Sequence, residues 1–379
     1  MSKLERFFAG PELPSPCLAV DLDIVESNYR LLRESFARTA IYYAVKANPA
    51  EAVIKRLKAL GSLFDVASLS EVELCLSLGV APQHISWGNP IKKESDIGVA
   101  FARGVDMYAF DSHEELEKLA QCAPGSRVSC RLHIDEGTDS AVCPLSAKFG
   151  CSPITAEELM VRARELGLVP HGLSFHLGSQ QTDVESWEQA IAVCAGVFRR
   201  LRDKGIDMEL LNLGGGFAVR YSHDVPRAQA YAECVHTSMR RHFGNHMPTQ
   251  CIEPGRSLVA SAGWLRSEVL LIADRRDRAG GHKWVYLDSG RSSGLVETVN
   301  DRIVYPLYIP NHEDSAMEDV MLAGPTCDWS DIINDGVLRQ VPTTLKSGDH
   351  VFFTHTGAYT TTCSSVGFNG FAPLESFYI

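Results

Sequence analysis

The sequence predicts an α/β fold, a (β/α)8 barrel followed by an antiparallel β domain, and three observations carry that expectation. Eight short β-rich runs alternate with amphipathic stretches over about 215 residues. After roughly residue 262 the helical periodicity becomes scarce, and alternating or β-branched runs take over. The length of 379 residues is enough for two domains, or for one barrel with an appendage, at roughly 150 residues per domain.

In order, the runs lie at 40–45, 62–67, 84–88, 107–110, 128–132, 171–176, 208–213 and 249–253. Starts of the first five are about 22 residues apart and later ones about 40, as βα units with longer loops require. Before the first run, Asp23 and Glu26 form an expected capping pair, and Val25, Tyr29, Leu32 and Phe36 recur at helical spacing. Val53, Ile54, Leu57 and Leu60 repeat that spacing, with Gly61 placed to end the helix. The rival architecture is an open, doubly wound sheet. Runs at Trp264–Ala273, Trp284–Leu287, Ile303–Tyr308 and His350–Thr354 are expected strands of the second domain. The expected division is a barrel over 21–261, with 1–20 and 262–379 forming the β domain.

Apolar residues at 45% and charged residues at 22% suit a globular chain with a sizeable core, which excludes disorder and coiled coil. The net charge of -11 argues against a nucleic-acid or anionic-membrane partner and suits a cationic substrate better. Eleven cysteines form no C-x-x-C pair or zinc-ligand spacing, so no metal is expected, and most of them are expected to be reduced, buried thiols. No signal peptide and no run of about 18 apolar residues is visible, so a cytoplasmic protein is expected.

Functional groups of such a barrel belong at the C-terminal ends of its strands. Those positions hold Lys46, Asp65, Asn89, Asp111, Arg131, His176, the run Gly214-Gly215-Gly216, and Glu253 with Arg256 just beyond. Singly, each has a plainer explanation. Lys46 could be solvated, the glycines a flexible loop, His176 a satisfied core residue, and Glu253 a salt-bridge partner of Arg256. Together they compose a pyridoxal phosphate site. The lysine forms the Schiff base, the glycine loop and arginine hold the phosphate, and the histidine faces the ring. Glu253 against the pyridine nitrogen would keep it protonated, which makes the ring a strong electron sink and favours decarboxylation.

Tyr43-Ala44-Val45-Lys46-Ala47-Asn48-Pro49, Phe64-Asp65-Val66-Ala67-Ser68, Ser174-Phe175-His176-Leu177-Gly178-Ser179 and Leu213-Gly214-Gly215-Gly216-Phe217 resemble the fold type III ornithine/lysine/arginine decarboxylases. Glu253-Pro254-Gly255-Arg256, Gly324-Pro325-Thr326-Cys327-Asp328, Gly357-Ala358-Tyr359-Thr360 and Phe368-Asn369-Gly370-Phe371 continue the likeness, which is strongest with short bacterial ornithine decarboxylases. The resemblance implies an alanine-racemase-type barrel plus β domain, pyridoxal 5'-phosphate as cofactor, and a head-to-tail homodimer with shared active sites. It implies Lys46 as the cofactor lysine, Glu253 at the pyridine nitrogen and His176 on the ring. Ser179, Gly214, Gly215, Gly216, Gly255, Arg256 and Tyr359 would serve the phosphate, with Asp65 and Arg131 in support. Cys327 of the partner subunit would return a proton to Cα, and Asp328 would meet the distal ammonium across the interface, with Phe368 lining the same pocket. Asn300 and Asp301 fall in the family's specificity stretch, and Lys148 and Asp331 resemble a pair that bridges subunits.

Three positions depart from the family's usual pattern. Ser292 stands where bacterial members usually carry an aromatic, Asp301 where they carry glutamate, and Cys363 where a tyrosine is expected. A smaller side chain opens space and a shorter carboxylate moves the counter-charge back. Both changes would alter the length or bulk of the substrate accepted; the leading expectation is L-ornithine, with L-lysine or a modified or D-configured diamino acid behind it. An amino-acid racemase, a meso-diaminopimelate or carboxynorspermidine decarboxylase, and an inactive regulatory homologue are the remaining alternatives. Glu253 and Cys327 speak against the racemase, no anchor for an additional distal carboxylate or a longer amine chain is evident, and the retained Lys46 and Arg256 speak against the regulator.

Overall fold

The computed structural model describes residues 1–10, 13–134, 141–143, 148–277, 279, 281–312 and 314–379. Two units divide the chain. One comprises Glu26–Ala218 and Val225–Ser257, the other Met1–Val25, Val219–Asp224 and Leu258–Ile379.

The first unit is a closed parallel barrel of eight strands. They are β1 (Thr39–Ala44), β2 (Leu63–Val66), β3 (Ile85–Trp87), β4 (Met107–Phe110), β5 (Arg127–Arg131), β6 (Val169–Ser174), β7 (Leu210–Asn212) and β8 (Thr249–Ile252). Each pairs with its neighbour in sequence, and β8 closes on β1 through Gln250–Thr39 and Ile252–Ile41. Closure excludes the open sheet, because no strand of this set keeps an unpaired edge. Every residue of β4 is buried, as a strand covered on both faces must be.

The intervening helices begin where the sequence supplies a cap. Ser68, Ser112 and Ser152 each accept the backbone N–H three residues on, opening Leu69–Ser77, His113–Cys122 and Pro153–Glu165. Helix Glu51–Ala59 ends at Leu60, and Gly61 then takes a φ of +87°. The expected Asp23–Glu26 capping pair is corrected. Helix Leu22–Ser35 already contains Asp23, whose N–H donates 2.9 Å to the Asp21 carboxylate, so Asp21 caps it.

The second unit holds a nine-stranded, predominantly antiparallel sheet among its described residues. Its central strand Gly263–Asp274 pairs with Cys17–Val20, His350–Thr354 and Lys283–Leu287. Two pairings are parallel: Cys17–Val20 with Glu375–Tyr378, and Lys283–Leu287 with Met317–Ala323. Leu4, Phe8, Cys17, Ala19 and Phe352 form a core here, with Trp264, Tyr308 and Phe377 packed against it. Of the expected run Ile303–Tyr308, only Leu307–Tyr308 joins the sheet. Pro306 has no N–H to give a ladder. The Ile303 and Tyr305 carbonyls are taken by Asn334 Nδ2 and Arg339 Nη2 instead.

Candidate active site

In the barrel unit the strand ends bring together the residues the sequence placed there. Lys46 sits in a single turn, Val45–Ala47, directly after β1, with its neighbours buried and its own side chain half exposed. Its Nζ lies 3.8 Å from Asp65 Oδ2. Asp65 is almost fully buried in β2, and its Oδ1 accepts the Gly88 N–H at 3.1 Å. A Cβ at Gly88 would fall 2.2 Å from that oxygen, so only glycine lets the backbone approach the carboxyl. Burial, and then the Glu253 charge, push the Asp65 carboxyl well above the ordinary carboxylate range.

Glu253 follows β8, and Asn212 at the end of β7 is its anchor. Asn212 Nδ2 donates to Glu253 Oε1, while its Oδ1 accepts the Gly214 N–H at 2.9 Å. The Gly214 N–H requires an oxygen, which orients the amide and obliges its NH2 to face the carboxylate. Gly214 C=O in turn accepts the Glu253 N–H at 2.8 Å. One asparagine thus ties the carboxylate to the first residue of the glycine loop. The sequence reading missed it; its only sign was an Asn two residues before a strand-end glycine run.

The glycine loop is a close-approach device. Gly214 and Gly216 adopt φ of +68° and +95°. Added Cβ atoms at Gly214, Gly215 and Gly216 would lie 2.2, 2.4 and 2.1 Å from the carbonyl oxygens of Phe175, Glu253 and Gly178. An aromatic group behind the loop was also missed. Trp187 stacks on Phe217 at 5.4 Å with an 11° tilt, meets Tyr231 edge-on, and donates its indole N–H to Leu213 O.

His176 Nδ1 accepts the Gly178 N–H at 3.0 Å, which leaves any ring proton of the neutral form on Nε2. Burial, with Arg131 and Lys46 adding, holds its basicity well below the usual histidine range, so the ring is neutral. Arg131 ends β5; its guanidinium carbon lies 5.5 Å from the Phe149 ring centre. His176, Arg131, Asn212 and Glu253 line one cavity. Ser179 opens a short strand, Ser179–Gln181, paired with Ala141–Cys143. Gly255 packs where a Cβ would come within 3.0 Å of Ala47, beside the Lys46 turn, and the buried Arg256 follows it.

The set fits pyridoxal phosphate on the glycine cradle and on the chemistry of its donors. Lys46 supplies an amine, Glu253 an acceptor held by an amide donor, His176 a neutral ring, and three consecutive glycines a backbone surface stripped of side chains.

The β unit carries the remaining expected residues. Cys327 is exposed, with its N–H and Sγ both directed to Asn369 Oδ1 at 3.2 and 3.5 Å. Asp328 Oδ1 accepts both the N–H and the hydroxyl of Ser330, at 2.8 and 2.9 Å, which hold its carboxyl below the usual range. Phe368 is partly exposed and lines a recess with Ser292 and Thr326. Asn300 and Asp301 are consecutive left-handed residues, and Asp301 Oδ2 accepts the Gly336 N–H at 3.1 Å. Tyr359 is also left-handed and half-buried, and Cys363 is exposed. Asp331 is buried, accepting from Arg291 N–H and from the N–H and hydroxyl of Thr326. Lys148 Nζ lies 4.8 Å from the Phe149 ring centre.

Residues 22–260 match the family model described as the pyridoxal binding domain of pyridoxal-dependent decarboxylases. A lysine/ornithine decarboxylase of Selenomonas ruminantium is 31% identical, over 98% of this chain and 91% of that protein. Ornithine decarboxylase of Rattus norvegicus is 33% identical, over 94% and 78%. The crystal structure of a lysine/ornithine decarboxylase of Vibrio vulnificus complexed with putrescine superposes with a TM-score of 0.88 at 30% identity, covering 100% of this chain and 98% of that one.

Proposed function

The chain belongs to the pyridoxal-dependent ornithine/lysine/arginine decarboxylases, and within that family we propose that it converts L-ornithine to putrescine. As a pyridoxal-phosphate enzyme acting on a basic diamino acid, it needs an anion for the distal ammonium. The observation that carries the ornithine reading is the contrast between its two candidate carboxylates. Asp328 is exposed and held ionised by Ser330. Asp301 is shorter than the usual glutamate, and of its two oxygens one accepts the Gly336 N–H and the other is buried. Asp328 is therefore the counter-charge, and Phe368 the apolar wall along the substrate's methylenes. The relatives' names favour the same pair of substrates, and L-lysine is the second reading because Ser292 leaves room where an aromatic is expected.

When bound, the cofactor supplies an electron sink that stabilises the carbanion left by carbon dioxide. The chain's residues do the rest. Lys46 binds the cofactor and releases the product amine. Glu253, oriented by Asn212, accepts a hydrogen bond from the pyridine nitrogen and keeps its proton there. His176, neutral, covers the ring without adding a competing positive charge, while Arg256, Ser179 and the backbone of Gly214–Gly216 bind the phosphate. Cys327 of the partner subunit hands a proton to Cα, which makes the working unit a homodimer with shared sites. The free cysteines accord with a reducing, cytoplasmic setting.

Replacing Asp328 by Asn tests the reading. Loss of a charge-assisted contact of about 1.5–3 kcal/mol should raise the KM for L-ornithine roughly 10- to 100-fold and leave cofactor affinity unchanged. An unchanged KM would assign the distal ammonium elsewhere.

A further inference from the structure

The fold brings together two cysteines that the sequence separates. Cys130 lies in β5, one residue before Arg131, and is fully buried. Cys151 follows Gly150, where the chain returns to the end of the same strand. Their Sγ atoms are 3.5 Å apart. A sulfur–sulfur bond of about 2.05 Å therefore requires a closure of about 1.5 Å.

The main chain on both sides of Cys151 is pinned. Its N–H donates to Arg131 O at 3.0 Å and its C=O accepts His133 N–H at 2.9 Å, the two bonds of a parallel bridge opposite Leu132. Residues two apart in a strand share a face, so Cys130 and Leu132 project to one side and Cys151 lies against them. Gly150 lets the two stretches approach closely, since a Cβ there would meet His133 N at 2.6 Å and Leu132 C at 2.7 Å. Its N–H is held by the Asp111 carboxylate at 2.7 Å. Cys130 is the diagonal neighbour of Cys151 across this bridge, so closing the remaining gap takes a small shift of the Cys151 main chain as well as side-chain rotation.

The two thiols are unequal. The Cys151 contact and burial push Cys130 well above its ordinary value, so almost none of it is thiolate. Cys151 is half-buried and is the member an oxidant can reach.

We propose that Cys130 and Cys151 form a reversible oxidative cross-link, made by a hydroperoxide, that clamps the 148–151 segment onto the end of β5. The Cys151 thiolate attacks the terminal peroxide oxygen, the O–O bond breaks, and the leaving alkoxide, or hydroxide from hydrogen peroxide, is protonated to the alcohol or to water. Cys130 sulfur then attacks the resulting sulfenic acid; the S–O bond breaks and the hydroxyl leaves with the Cys130 proton as water. With hydrogen peroxide, two thiols lose two electrons and two protons, and one peroxide becomes two waters. A dithiol reverses the bond by exchange. The clamped segment carries Phe149, the ring facing the Arg131 guanidinium.

Holoenzyme titrated with hydrogen peroxide, thiol-blocked and peptide-mapped without reduction tests this. The expected result is one peptide pair joining Cys130 to Cys151, lost on adding dithiothreitol, with slower amide exchange at Gly150 and Cys151. Bridging residues 21 apart should also raise the melting temperature by about 4 °C. Cys151→Ala should abolish both the pair and the shift. Cys327 and Cys363 are exposed and oxidise independently, so turnover is not the readout. Mapping on the unaltered chain decides the matter even where a variant folds poorly. The proposal is overturned if Cys327 and Cys363 oxidise while Cys130 and Cys151 stay alkylatable after unfolding, or if Cys151 advances unpaired to sulfinic acid.

Discussion

Asp65 shows how a single residue can trade stability for function. Burial and the nearby Glu253 raise its carboxyl well above the ordinary 3.8. Between that value and its folded one, the folded protein keeps a proton that the unfolded chain has lost. The Asp65 contribution is thus fully present below pH 3.8 and declines as pH rises through the folded value. In cofactor-free protein at neutral pH, Asp65→Asn should therefore be stabilising, and the difference from the parent should shrink towards pH 4. Urea unfolding at a series of pH values measures this; a variant less stable at neutral pH would contradict it. The same substitution should impair turnover, because it removes the acid beside Lys46. Asp65, Lys46, Glu253 and His176 were legible because a barrel's strand ends mark them in sequence. Asn212 was not, because its importance lies in two hydrogen bonds, to Glu253 and Gly214, and the first crosses to another strand.

At the scale of elements, the glycine loop owes its shape to what stands behind it. Trp187, in helix Ser186–Asp203, stacks on Phe217 and holds the Leu213 carbonyl. Trp187→Ala should cost about 3–5 kcal/mol of stability. It should also weaken pyridoxal phosphate retention, measured by dialysis and the bound-cofactor absorbance. Tight retention in a destabilised variant would separate the aromatic group from the loop. All eight barrel strands were legible, since burial on both faces leaves apolar runs bounded by turns. The β unit was less so. Met317–Ala323 carries Glu318 and Asp319 among its apolar residues and reads as mixed, while Arg339–Pro342 and Glu375–Tyr378 are four-residue strands whose place is set by distant partners. Cys130 and Cys151 are likewise a product of the fold, 21 residues apart in sequence and in contact in space.

For the whole molecule, the proposed chemistry calls for two chains. On the proposed reading, Lys46 would serve the site of its own subunit and Cys327 that of its partner. Lys46→Ala and Cys327→Ala proteins should each be inactive. Mixed under subunit exchange, they should recover about a quarter of parental activity, because half the dimers are hybrids and one of the two sites in each is intact. No recovery would count against the shared site. Purified, pyridoxal-phosphate-loaded protein should be offered L- and D-ornithine, L- and D-lysine, L-arginine, meso-diaminopimelate and carboxynorspermidine, with carbon dioxide and amine measured together. L-Ornithine should give equal amounts of carbon dioxide and putrescine, at a clear maximum over the other acids. A protein that binds the cofactor through Lys46 yet releases carbon dioxide from none of the basic amino acids would contradict this.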